Sequence, residues 1–207
     1  MRTPMNERKD WTRIAAYYDH LVDQYGHDPR ASDAAKQESL DVRYRALAAV
    51  MDLKGKSVLD VGCAMGDFGA YLHQHHHVGA YLGVDIAPRM IEEATKLHPH
   101  LAFKNINVLD MEETEQFDIV FAEGIFYLLG DDAEEKTKTL VKKMFALSKE
   151  AFACSAISSW HPHQDPSEYY VDPAAFIEWA RTLTPYLTMR HDYHHGDCTF
   201  YLYRSKR

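Results

Sequence analysis

Ser57-Val58-Leu59-Asp60-Val61-Gly62-Cys63-Ala64-Met65-Gly66-Asp67-Phe68-Gly69 joins a short apolar strand to a turn of small residues and then to a helix. Small residues let the backbone approach a ligand where a β-carbon would collide. The helix that follows offers free N–H groups and a positive dipole end to a polar or anionic group. Asp60 places a carboxylate at the end of the strand. The spacing does not fit the dinucleotide fingerprint. In Gly-x-Gly-x-x-Gly counted from Gly62, the second and third glycines would be Ala64 and Asp67.

Around this segment, strands alternate with helices. The pattern predicts strands at 56–61, 80–85, 102–107, 117–122, 151–157, 186–190 and 199–203. Helices are predicted at 11–25, 34–51, 67–76 and 88–97, from a cap at Asp131 or Asp132 to Leu147, and from Asp172-Pro173 to about Leu183. Such alternation implies a doubly wound α/β sheet with right-handed crossovers. The last two strands have no helix between them and should pair antiparallel. Residues 1–207 read as a single domain, with 1–52 a helical cap on the 53–207 α/β core.

The bulk numbers limit the function. The chain has 207 residues, of which 46% are hydrophobic and 26% charged, so it can bury a full core. A net charge of −8 opposes a generic nucleic-acid binder. Lys142, Lys143 and Lys149 read as a solvated helix face. No apolar run approaches the ~20 residues of a membrane span. Residues 1–10 are polar, without a signal peptide. Cys63, Cys154 and Cys198 are far apart and without CxxC spacing, which suits reduced thiols in a cytoplasmic protein. The 13 histidines include His75-His76-His77 and His191, His194 and His195. Neighbouring histidines on a helix point apart and have no acid at ligand spacing, so no metal is expected.

Asp-x-Gly-x-Ala-x-Gly, starting at Asp60, resembles motif I of the class I S-adenosylmethionine-dependent methyltransferases. Asp85 after Tyr-Leu-Gly-Val, and Phe117-Asp118-Ile119-Val120, follow in the family's order. The resemblance implies a Rossmann-like doubly wound seven-stranded sheet, mostly parallel with an antiparallel last strand. It also implies S-adenosylmethionine as cofactor. Asp85 would accept both ribose hydroxyls, and Ile86 would pack on the adenine. Asn107 stands where the family keeps an acid for the adenine amino group, with Asp110 as the alternative, and Val108 would offer a backbone N–H. Asp60 would orient the turn and reach the ligand's ammonium through water. Gly62, Cys63 and Ala64 would make backbone contacts to the methionine part. Ala64 departs from the family's glycine, and its methyl group fits only if φ stays negative.

Glu123, after the fourth strand, would take a proton from an acceptor or pair with the ligand's ammonium. Its structural alternative is an ion-paired strand end. Tyr18 matches the family's Tyr-Tyr-Asp and would cover the sulfonium. Tyr25, Arg30, Tyr127 and Tyr170 are candidate substrate contacts. The reading is methyl transfer to a small-molecule N or O acceptor, of the kind found in secondary metabolism, with no membrane or nucleic-acid partner. One alternative is a cyclase that forms azetidine-2-carboxylate and methylthioadenosine from the cofactor alone. Another is a non-catalytic cofactor-binding regulator.

Overall fold

The computed structural model describes residues 5–32 and 37–207. Seven strands form one sheet: β1 (Val58–Val61), β2 (Tyr81–Asp85), β3 (Ala102–Asn105), β4 (Phe117–Ala122), β5 (Ser148–Ile157), β6 (Leu187–Arg190) and β7 (Asp197–Tyr203). Their order is β3-β2-β1-β4-β5-β7-β6. The pairings from β3 through β5 are parallel, and β7 runs antiparallel to both β5 and β6. The chain therefore forms the expected doubly wound sheet. Strand order reverses between β1 and β4, and a crevice opens there beyond the carboxyl ends of the strands.

Among the described residues, six α-helices accompany the sheet: α1 (Met5–Tyr25), α2 (Gln37–Ala48), α3 (Asp67–His76), α4 (Pro88–Leu97), α5 (Ala133–Leu147) and α6 (Pro173–Ala180). Strand alternation divides the core. Leu59, Val61, Val120 and Ala122 face α5 and α6 through Leu140, Met144 and Phe176. Val58, Ile119 and Phe121 face α2 and α3 through Leu40, Leu47, Phe68 and Leu72. Helix α2 thus completes one face of the sheet sandwich. Helix α1 docks on α4, where Asp19 accepts the Arg89 N–H at 2.9 Å and Asp23 pairs with the Arg89 guanidinium.

Local chemistry accounts for several element ends. Asp172 caps α6, with Oδ1 accepting from the N–H groups of Ala174 and Ala175. Asp132 holds the corresponding place before α5 but has a φ of 58° and makes no side-chain cap, contrary to expectation. Strand β3 ends two residues early because Asn107 caps a 3-10 turn over Val108–Asp110. The first helix starts earlier than its apolar stripe, and the part of the second predicted helix at 34–36 lies outside the described residues.

Candidate functional site

A cleft runs across the ends of β3, β2, β1 and β4, and the sheet order fixes which residues meet in it. Ile106, Asn107 and Val108 line it beyond β3, and Asp85 and Ile86 beyond β2. Gly62 and Ala64 line it beyond β1, and Glu123, Gly124 and Ile125 beyond β4. Trp11, Ile14 and Tyr18 of α1 close it from above. Their spacing of three and four residues puts them on one helix face. The apolar stripe of α1 signalled this face, but Trp11 escaped the sequence reading.

The turn after β1 is wound tightly. Gly62, Ala64 and Gly66 have φ of 73°, 46° and 85°. Ala64 therefore occupies the left-handed region, contrary to the expected negative φ. Such a residue costs roughly 1–2 kcal/mol, and the surroundings hold it there. Its N–H donates to Asp85 Oδ2 at 3.0 Å, while the N–H groups of Gly62 and Cys63 donate to the Val84 carbonyl. The N–H groups of Gly62, Cys63 and Ala64 are thus committed inside the protein. At Gly62 a β-carbon would strike Ile125 Cγ2, so the cleft wall closes against the bare backbone.

Asp85 is half-buried and also accepts the Ala87 N–H at 2.8 Å. Burial pushes its pKa up to about 6, against the pull of these N–H groups. Asn107 lines the cleft, and its Oδ1 accepts the Leu109 N–H at 3.0 Å. Asp110 instead lines a neighbouring groove between α1 and the β3 end.

Glu123 is enclosed, with its side chain 19% exposed, and Arg43 Nη1 of α2 lies 3.7 Å from its Oε1. Burial raises its pKa and Arg43 opposes the rise. Ser155 Oγ lies 3.5 Å from the same oxygen and accepts the Gly124 N–H at 3.1 Å. Arg43 is shared, since its Nε donates to Asp197 Oδ2 of β7 at 2.7 Å. This link between α2, β4 and β7 joins residues remote in sequence, and no local pattern announced Arg43.

Several candidates stand apart from the cleft. Asp60 is buried on the opposite sheet face from Leu59 and Val61, where it accepts the Tyr81 hydroxyl at 2.7 Å. Cys63 is buried, its sulfur under the position where Gly83 would carry a β-carbon. Tyr127 reaches the cleft through Tyr18, the two hydroxyls lying 2.7 Å apart. Arg30 is exposed, bound to Asp28 and stacked over the Tyr25 ring at 4.6 Å, so neither Arg30 nor Tyr25 lines the cleft. Tyr170 belongs to a separate groove between α5 and α6 and donates to Glu168. Among the described residues, no three His, Cys, Asp or Glu side chains gather as a metal set, and no helix is long and apolar enough to cross a membrane.

A family described as a methyltransferase domain matches residues 52–187. The chain belongs to this family. Its class I fold is also that of solved structures at low identity. The chain is similar to magnesium protoporphyrin IX methyltransferase from Synechocystis PCC 6803 with bound SAM, with a TM-score of 0.70 and 16% identity. That match covers 95% of this chain and 97% of the other. For the N-methyltransferase NodS of Bradyrhizobium japonicum WM9, the TM-score is 0.62 at 18% identity, over 92% and 99% of the two chains. Trans-aconitate 2-methyltransferase of Escherichia coli O139:H28 (strain E24377A / ETEC) is 32% identical over 79 residues. The match spans 38% of this chain and 31% of that protein's length.

Proposed function

We propose that this chain is an S-adenosylmethionine-dependent methyltransferase of a small-molecule N or O acceptor. The observation that carries the reading is one cleft lined, in the order of the strands, by Asn107, Asp85, Gly62 with Ala64, and Glu123. These groups fit the cofactor's chemistry. Asp85 has lone pairs left for two ribose hydroxyls. Ile86, Ile106, Val108 and Met90 give an apolar slot for the adenine, and Asn107 a polar edge for its amino group. The carbonyls of the turn receive the methionine ammonium, and Tyr18 covers the sulfonium with its ring and oxygen. When bound, S-adenosylmethionine supplies an electrophilic methyl group. The protein's part is to align acceptor and methyl group and to exclude water, with Trp11, Ile14 and Tyr18 as the roof.

Relatives named for trans-aconitate and magnesium protoporphyrin IX support a small-molecule acceptor. The acidic chain supports this over a nucleic acid. Three free, buried cysteines support a cytoplasmic setting, and a place in secondary metabolism belongs to the same proposal. Calorimetry with S-adenosylhomocysteine should give saturable one-to-one binding, and its absence would remove the reading. Incubation with S-adenosylmethionine alone should give little turnover. Abundant methylthioadenosine from that incubation would favour the cyclase instead, and binding without turnover on any acceptor would favour the regulator.

A further inference from the structure

Two charged residues line the cleft among those described, Asp85 and Glu123, and both are carboxylates; no Lys, Arg or His is among the lining. Asp85 lies at the β2 end and is turned onto two backbone N–H groups. Glu123 lies at the other end of the lining, beyond β4, followed by Gly124 and Ile125, with Arg43 of α2 and Ser155 of β5 beside its carboxyl.

Arg43 does not cancel the charge of Glu123. It stands 3.7 Å from Glu123 but 2.7 Å from Asp197, so two acidic side chains share one guanidinium and Asp197 holds it more closely. His194 Nδ1 lies 3.1 Å from the same Asp197 oxygen that Arg43 Nε holds, whereas Glu123 meets Arg43 through Nη1. An enclosed carboxylate that only shares its cation, in a cleft lined otherwise mainly by apolar side chains, is complementary to an ammonium on an apolar body. Ion pairing and the ring faces act in the same direction. A carboxylate acceptor would meet like charge with no cation on the wall.

We propose that the acceptor is an amine, bound as an ammonium against Glu123, and that the reaction is N-methylation. This rests on the methyltransferase reading and narrows it. Glu123 accepts one proton from the bound ammonium, leaving a neutral amine. The nitrogen lone pair then forms the N–C bond as the C–S bond breaks, with the bonding pair staying on sulfur. The sulfonium becomes a neutral thioether, the nitrogen becomes a methylated ammonium, and Glu123 returns its proton to water.

The test is titration of the full chain, saturated with S-adenosylhomocysteine, with phenethylamine, phenylacetate and 2-phenylethanol, which differ mainly in charge. Phenethylamine should bind more tightly than phenylacetate by about tenfold or more. Glu123→Gln should retain S-adenosylhomocysteine binding and lose this preference, and Glu123→Asp should restore it. Equal or tighter binding of phenylacetate, or of the alcohol, to the wild-type complex overturns the proposal. So does a complex that binds no phenethylamine. Loss of S-adenosylhomocysteine binding in a folded Glu123→Gln protein also overturns it, because Glu123 would then serve the cofactor's own ammonium. Failure of the methyltransferase reading is distinct, since the wild-type chain would not bind S-adenosylhomocysteine in the first titration.

Discussion

Replacing Asp60 with Asn should make the protein more stable, and increasingly so as pH rises. Asp60 is buried in the sheet with its carboxyl on the Tyr81 hydroxyl. Burial, then the carboxylates of Glu123 and Asp85, push its pKa from 3.8 up to about 7, while the Tyr81 hydrogen bond pulls the other way. The folded state thus holds this proton more tightly than the unfolded chain does. The stability gained is fully present below about pH 4 and is lost as pH rises through about 7. Three pKa units at 1.36 kcal/mol each set a ceiling of ~4 kcal/mol. Of this, ~2–3 kcal/mol falls between pH 5 and pH 8. Asn keeps the volume and an acceptor oxygen for Tyr81 but does not titrate. Urea unfolding of both proteins across this range should show their stability difference widening by ~2–3 kcal/mol in favour of Asn. Groups that titrate in both proteins cancel to first order. A difference that stays flat, or that shrinks with pH, would refute an ionisable carboxyl held in this environment.

Asp85→Ala should weaken S-adenosylhomocysteine binding by more than about tenfold, since it strands two ribose hydroxyls and the N–H groups of Ala64 and Ala87; near-normal calorimetric affinity would contradict the assignment. Ala64→Gly removes a left-handed strain of roughly 1–2 kcal/mol and adds roughly 0.4–1 kcal/mol of unfolded-chain freedom, so a small rise in melting temperature is expected and a fall would count against the strain. Arg43→Met leaves Glu123 and Asp197 without their shared cation, at a cost of about 3–5 kcal/mol in urea unfolding; adding Asp197→Asn should recover part of the loss, and a neutral single variant would show the pair to be solvated.

The sequence carried the sheet because each of its signals is local. Helices α3 and α4 and strand β4 fall at the predicted residues, where a small-residue turn, a proline in the first turn and an apolar run interrupted only by Asp118 mark them. Strand β5 begins earlier than predicted, at Ser148, because Lys149 and Glu150 interrupt the apolar pattern while the backbone already pairs with β4. The cleft residues at strand ends were legible for the same reason, since strand-end position follows from local pattern and topology. Arg43 was not, because its meaning depends on Glu123 and Asp197, brought together only by sheet order. Tyr25, Arg30 and Tyr170 carried suitable chemistry, but the fold gives them nearer partners.

Asp85 and Ala64 explain one another. A left-handed alanine persists only where its surroundings determine it, and here the Asp85 carboxylate holds its N–H. A carboxylate has about four lone-pair positions. The N–H groups of Ala64 and Ala87 bond one to each oxygen, and the lone-pair positions that remain are the ones a pair of vicinal hydroxyls would use. Fixing the turn and receiving a ribose are therefore not competing tasks for this side chain. The bond that holds the strained turn also fixes the direction in which the remaining lone pairs point. A ligand at Asp85 would thus be set in register with the turn, and through it with the β4 end of the cleft, where Glu123 stands.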